Sequence, residues 1–339
     1  MLELRTQSPN LDQWTLLPSR YGAHDVFMRS TSSPTGIISQ QLLDEAATAV
    51  GRDVKVPVFD SESVSIGSVR SATIADSENT SAFYTLVFVT YAWGFTIVPS
   101  LFLNNEIQIQ ADFNRKFNKY LLKFADVHET ACLAALSTNK TQVFNDTLGL
   151  YTTTGNTVLA ADANKNELIG DLTPMMKAND FYGAYHMIGN TGLESRLLKL
   201  SELGIYNEQN KQIQYADKIL HFTNNLANDA GNVATGYLVN QDAVGLAFRH
   251  EREAILGTRL PDGTEWRRDV LPMMQMPIDT YFYYGVGDFS AIGGASTADA
   301  TRVAKEHYGY AIEVAYVGAH NTDLSTYPSP IMRFAISAT

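Results

Sequence analysis

Between Asn104 and Ser137 apolar residues recur three or four positions apart: Phe113, Phe117, Tyr120, Leu121, Phe124, His128, Ala131 and Ala135. That spacing puts them on one stripe of an α-helix. No Pro or Gly falls between Pro99 and Gly149, so nothing in the window breaks it. At 1.5 Å per residue the helix is roughly 50 Å long, several times the usual length. Asn104 or Asn105 can cap it, and Glu106 suits its positive end. A helix this long exceeds the core of one ordinary domain and reads as a spine for a flat subunit.

The pattern before the spine changes several times. Residues 1–36 are irregular and mixed in charge, punctuated by Gly22, Pro34 and Gly36, and read as an arm laid over another surface rather than as core. Ile37 to Val50 reads as a short helix, capped by Ser39, with Leu42, Leu43, Ala46, Ala47 and Val50 on its apolar side. Val54, Val56 and Val58 alternate with Lys55 and Pro57, a strand pattern in which the proline marks an edge. Ser61 to Ser81 is Ser/Thr-rich yet keeps Val64, Ile66, Val69 and Ile74. It reads as a long two-stranded excursion that needs a neighbour, because an isolated hairpin is marginal in water. Phe83 to Val98 reads as a strand buried on both faces.

After the spine the signals shorten. Val143 to Ala160 holds strand signals, and Ile169 to Leu203 is helical in pattern, with Leu193, Leu197, Leu198 and Leu200 on one face and Gly204 as its stop. Lys218 to Thr223 reads as a strand and Tyr237 to His250 as a mixed segment. Arg252 to Arg268 reads as an exposed loop or hairpin turning at Asp262-Gly263. Ile278–Val286, Lys305–Val317 and Pro330–Ser337 read as strands. No repeat and no Pro-rich or charged linker divides the chain.

Composition narrows the class of function. The chain has 339 residues, 45% hydrophobic and 18% charged, which is globular with a light charge load. Less charge leaves more surface for protein contacts. A net charge of -11 disfavours a dedicated nucleic-acid binder. The single cysteine, Cys132, lies inside the spine and reads as a small buried hydrophobe; it permits no disulfide framework. The opening MLELRTQSPNLDQWTLLPSRYG lacks the basic start and apolar core of a signal peptide, and no apolar run is long enough to span a membrane.

Chemical motifs are sparse. The seven histidines include no pair four apart on a helix, and His250-Glu251 lacks the second histidine of a zinc-protease helix because Ala254 stands there. His128 falls on the spine's apolar stripe and reads as a half-buried, hydrogen-bonded ring. His128 and Cys132 lie four apart, but on so apolar a helix they read as packing rather than as base and nucleophile. Gly285-Val286-Gly287 starts like a dinucleotide fingerprint but lacks the third glycine, and reads as a strand end and turn. Met273, Met274 and Met276, between Pro272 and Pro277, fit a core loop or an inter-subunit contact. Arg115, Lys116, Lys119 and Lys123 form a basic band on the spine. The plain reading is a solvated face balanced by Asp112 and Asp126. The sharper one is a face turned to a polyanion.

In order and texture these elements resemble the major capsid proteins of tailed phages, with the Hong Kong 97-like α+β capsid fold, over most of the chain from about Ile37 on. Ile37–Val50 resembles the arm helix, Val54–Phe83 the extended loop, and Phe83–Ser137 the strand and spine. Val143 to about Gly294 is similar to the axial domain, with YYGVGDFS as its late strand-Gly-acid-aromatic stretch. Lys305–Val317 and Pro330–Ser337 resemble the closing strands. The resemblance implies an N-terminal arm with a short helix (1–52), an extended loop hairpin (53–83), a peripheral-domain strand and spine helix (84–142), an axial domain (143–294) and closing strands of the peripheral domain (295–339).

The resemblance further implies a structural subunit, not an enzyme, with no catalytic, cofactor or metal residues. Copies would assemble as hexamers and pentamers into an icosahedral shell around double-stranded DNA, in a virion put together in the bacterial cytoplasm. Portal and scaffolding proteins are the implied partners; DNA would be met without sequence specificity, and no membrane is involved. Val64, Ile66, Val69 and Arg70 become candidates for an assembly interface over a neighbour's spine. Arg115, Lys116, Lys119 and Lys123 become candidates for an inner-face basic band. Some members cross-link subunits through a lysine of the extended loop; Ser61–Ser81 has none, only Arg70, so shell strength is expected to be noncovalent. The competing readings are an encapsulin-like nanocompartment shell, an enzyme with an unfamiliar α/β site, and a tail-tube subunit.

Overall fold

The computed structural model describes residues 21–48, 53–59, 81–102, 105–140, 151–161, 165–200, 205–207, 212–215, 218–250, 263–271, 274–288, 302–319 and 329–338. Helices α1 (Gly22–Thr31) and α2 (Gln40–Thr48) come first, then strands β1 (Lys55–Phe59), β2 (Ser81–Thr85) and β3 (Val89–Ile97). A 3-10 turn (Pro99–Phe102) leads into the long helix α3 (Glu106–Asn139). Strands β4 (Tyr151–Thr154) and β5 (Thr157–Ala160), helix α4 (Lys165–Ala178), strand β6 (Tyr185–Gly189) and helix α5 (Thr191–Leu200) follow. The rest is strand: β7 (Ile205–Asn207), β8 (Gln212–Tyr215), β9 (Lys218–Phe222), β10 (Asn232–Asn240), β11 (Val244–Arg249), β12 (Glu265–Leu271), β13 (Met276–Asp288), β14 (Arg302–Gly318) and β15 (Ile331–Ser337).

The expected spine is one unbroken helix of 34 residues, capped by Asn105, whose side chain accepts from the backbone N–H groups of Ile107 and Gln108. Its first half leans on the sheet through Phe113 and Phe117, both partly buried. Its second half buries a wider arc: Leu121, Phe124, Ala125, His128, Glu129, Cys132, Leu133 and Leu136. Tyr120 stays 39% exposed, and Ala131 and Ala135 are only partly covered. The arc widens and turns because α1 packs on this half as a second neighbour; Tyr21 donates to Asp126 and the N–H of Ala23 to Glu129. His128 is accordingly fully buried, not half-buried.

Helix α1 corrects the expectation that the chain before residue 36 is irregular and outside the core. Ala23, Val26 and Phe27 are fully buried in the main hydrophobic cluster. The apolar positions were at helical spacing all along; the exposed ion pair of Asp25 with Arg29 on the other face gave the segment its mixed look. Gly22 is required by contact, since a Cβ there would lie 2.8 Å from the Phe222 carbonyl oxygen. Helix α2 forms within the expected Ile37–Val50, over Gln40–Thr48, with Ser39 Oγ accepting from the Leu42 N–H and with Leu42, Leu43 and Ala46 against Ala247, Ala315 and Val317; Val50 lies outside the described residues.

Two sheets carry most strands. One has eight in the order β4-β5-β15-β10-β6-β9-β8-β7. It is covered by α4 and α5 through Leu168, Ile169, Leu172, Met176, Leu193 and Leu197. The other is built on β14, which takes β3 along one edge and β13 and then β11 along the other, with β12 outside β13. On the face below α3, Tyr91, Trp93, Phe95 and Ile97 of β3 align with Ile312, Tyr310, Tyr308 and Glu306 of β14.

Four expectations change here. The span Phe83 to Val98 is two strands, not one buried on both faces: Phe83, Val87 and Val89 are 68%, 70% and 41% exposed. The cause is one-sided cover, since α3 lies over Tyr91, Trp93 and Phe95 while Ala92 and Gly94 of the other face are exposed. The helical stretch Ile169–Leu203 contains β6, whose five residues Tyr-His-Met-Ile-Gly are all buried in mid-sheet. A short apolar run of this kind has no periodicity to distinguish strand from helix. Strand β13 lies before the boundary at 294/295 yet pairs with β14 beside the spine, while β15 lies after it and pairs with β10 and β5. The two sheets therefore cut across that boundary. The segment Gly285–Asp288 continues as strand, Gly285 opposite Lys305 and Gly287 opposite Val303, rather than turning. Met274 and Met276 are buried core residues, which settles their role within the subunit.

Phe124 is stacked on Trp93 at 4.9 Å and lies edge-on to Tyr91 at 5.7 Å. Phe124→Ala is expected to cost about 3–5 kcal/mol in urea unfolding, as for other buried aromatics. A loss below about 1 kcal/mol would show that this contact does not anchor the spine.

Candidate functional site

The basic band follows from the helix period: positions 112, 115, 116, 119 and 123 fall within one side of α3. Arg115 reaches Asp112 at 2.7 Å and Lys116 reaches the other Asp112 oxygen at 2.7 Å. Lys116 also donates to the Thr96 carbonyl at 2.9 Å, tying the spine to the end of β3. Burial opposes ionisation of Asp112, but the hydrogen bonds and charges of Lys116 and Arg115 outweigh it and hold the carboxyl below its ordinary value. Half of the band thus has the local partner that the plain reading expected. Lys119 and Lys123 are exposed, one and two turns further on.

A second feature is an apolar cleft of about 510 Å³ where the sheet runs out from under the spine. Phe113 and Phe117 form one wall, and Phe282, Tyr308 and Tyr310 form the floor. Glu265, Arg267 and Asp269 project along the outer strand β12. Large apolar side chains are also exposed on the spine's approach: Leu101 at 47% and Ile107 at 82%. The candidate assembly residues Val64, Ile66, Val69 and Arg70 lie outside the described residues. What flanks them is described: β1 and β2 pair antiparallel from Lys55↔Thr85 to Phe59↔Ser81, a two-stranded stem on either side of residues 60–80.

Sequence reasoning missed one cluster. His24 Nδ1 lies 3.1 Å from His128 Nε2, and His186 Nδ1 lies 2.9 Å from His221 Nε2. His221 Nδ1 meets Asp25 at 3.1 Å. These residues are 35 to over 100 positions apart, so no local spacing announces them; the one signal was the helical register of residues 23–27. Among the described residues no three His, Cys, Asp or Glu side chains are placed to hold a metal ion, and no helix is long and apolar enough to cross a membrane.

Removing the Asp112 charge tests the band. Its lowered carboxyl contributes stability above the unfolded value of 3.8, lost as pH falls through the folded one. Asp112→Asn should cost about 0.5–1 kcal/mol at pH 7, the worth of two part-buried helical ion pairs. That cost should shrink at acid pH. A pH-independent loss in urea unfolding would refute the electrostatic account.

No protein-family model matches the chain, and no curated protein matches it in sequence. Its resemblance to known proteins lies in the fold. The cyanophage Pam1 capsid structure superposes at a TM-score of 0.50, with 10% identity over 95% of this chain and 94% of that one. A structure from Mycobacterium phage Che8 follows at 0.48, with 9% identity over 88% of each chain. The capsid structure of cyanophage P-SCSP1u gives 0.46, with 10% identity over 85% and 84%. With nearly the whole of both chains aligned to the Pam1 capsid, and a spine helix lying on a mixed body as the order of elements led us to expect, this chain has the α+β fold of a phage capsid protein.

Proposed function

We propose that the chain is the major capsid subunit of a tailed phage, assembling with copies of itself into the hexamers and pentamers of an icosahedral head around double-stranded DNA. The observation that carries this reading is the near end-to-end alignment with the Pam1 capsid fold. The stem β1–β2 supports it, because a two-stranded ribbon with Phe83 68% exposed buries too little alone and gains by lying on another copy. In this reading residues 1–52 include the arm, 53–83 form the extended loop, and Val64, Ile66, Val69 and Arg70 contact a neighbouring subunit. Portal and scaffolding proteins are the further partners, and the virion, assembled in the host cytoplasm, is the location. Each contact in a closed shell is repeated many times, so each can be weak.

Lys119 and Lys123, with Arg115 and Lys116 beside them, are read as the inner face that meets DNA backbone without reading sequence. The protein's role is structural; no catalytic step is assigned to it.

Negative-stain imaging of the purified protein is expected to show closed shells, and deletion of residues 63–78 to leave a folded subunit that forms none. Normal closed particles from the deletion variant would defeat the role given to the loop. A monodisperse, ordered monomer from the intact chain would defeat the reading as a whole.

The double variant Lys119→Glu with Lys123→Glu should unfold within about 0.5 kcal/mol of the parent, as surface changes do. Its particles should retain less nuclease-protected DNA. Unchanged contents would remove the basic band from the proposal.

A further inference from the structure

Two histidine pairs lie where α1 packs, one between α1 and α3 and one in the eight-stranded sheet beside Asp25 of α1. His24, His128, His186 and His221 are all buried, with exposures of 6%, 0%, 4% and 5%. They come from four elements, α1, α3, β6 and β9, and α1 touches the eight-stranded sheet through β6 and β9 and the five-stranded one through β11. The rings are in direct contact as pairs, His24 with His128 at 3.1 Å and His186 with His221 at 2.9 Å. Around the first pair lie the Tyr316 hydroxyl, 2.7 Å from His128 Nδ1, and the Cys132 thiol at 3.6 Å from Nε2. Tyr316 in turn donates to Tyr91 at 3.2 Å.

A hydrogen bond between two imidazoles needs a proton on one facing nitrogen and a lone pair on the other. One extra proton per pair is compatible with that bond; two set donor against donor and place two positive charges side by side. We propose that the two histidine pairs are an acid-labile joint: His24–His128 ties α1 to α3 and His221, through Asp25, ties it to β9 at neutral pH, and the joint opens when the pairs become doubly protonated.

The surrounding charges set the direction. Burial pushes His24 and His186 down to about 4, against a pull upward from Asp25, and pushes His128 well below its ordinary value. Arg29 adds to the depression at His186, and Asp242 opposes it. The Met274 backbone faces His24 and favours its charged form. Asp25 is itself opposed by burial, but His221 and Arg29 keep it below the usual carboxylate value. Glu129 accepts from the N–H groups of Ala23 and His24 at 2.9 and 2.8 Å, yet burial raises it to about 7.

The signs are opposed and unequal. A histidine depressed below 6.5 in the closed joint binds its proton more readily when the joint opens, so closure weakens as pH falls from 6.5 towards 4. Glu129, raised above 4.5, favours closure as pH falls from 7 to 4.5. Three depressed histidines against one raised carboxylate leave a net uptake of about two protons on opening, hence a rise of roughly 100-fold per pH unit in the open-to-closed ratio.

Hydrogen exchange of the full chain from pH 7.5 to 4.5, corrected for the intrinsic pH dependence of exchange, reads this directly. Peptides covering 22–31 and 121–136 should lose protection steeply below pH 6.5, ahead of residues 168–176 in α4. The double variant His24→Gln with His128→Gln, which keeps hydrogen-bonding groups but cannot titrate, should flatten that slope at least 10-fold per pH unit. Should the variant fail to fold, the histidine ring resonances of the unaltered protein decide: midpoints below 5 for His24 and His186 support the joint, and midpoints near 6.5 overturn it. Protection of 22–31 that falls in step with α4 throughout also overturns it.

Discussion

The contact between α3 and the paired strands β3 and β14 is the constraint on which the rest of the arrangement depends. A 34-residue helix cannot bend round a small core, so the sheet must come to it along its length. β14 does this, pairing with β3 over nine residues and presenting Tyr308, Tyr310 and Ile312 beside Phe95, Trp93 and Tyr91. The seam is aromatic, with Phe95 edge-on to Phe113, Phe113 edge-on to Tyr308, and Trp93 stacked on both Phe124 and Tyr310. Large rings suit this place because they bury much area from a shallow contact and need few neighbours to fix their orientation. The other sheet meets the spine's far half through α1 and through a direct contact with β15, and α1, caught between them, is as buried as anything in the chain.

Strong periodicity made the long elements legible. The spine was readable to within two residues because nothing between Pro99 and Gly149 competes with helix and because Asn105 caps it. β13, β14 and β15 were readable because each is long and rich in β-branched or aromatic residues. What was illegible shares one cause, the absence of a period. β6 is apolar on both faces, so it carries neither the alternation of a surface strand nor the stripe of a helix. α1 is short, and its charged pair, Asp25 with the exposed Arg29, resembled a solvated coil. The pairing of β15 beside β5 and β10 is a matter of topology that no local pattern encodes.

The surface features divided the same way. The basic band was visible because residues three and four apart on a helix are neighbours by construction, and its balancing carboxylate, Asp112, followed from the same rule. The histidine cluster was invisible because its members join only when α1, α3, β6 and β9 converge. Exposure separated core from contact among the methionines: the same thioether is filler when 0–3% exposed, as Met276 and Met274 are, whatever prolines flank it.

Cys132 gives the chain a practical property. Its thiol is fully buried in α3, burial with the nearby Glu129 charge holds it protonated well above its ordinary value, and no other cysteine occurs in the sequence. A maleimide or other thiolate-seeking dye finds no competing target on the native subunit. One engineered surface cysteine, on β12 or at the free end of α3, then becomes a unique attachment point for a fluorophore or spin probe with the native residue left in place.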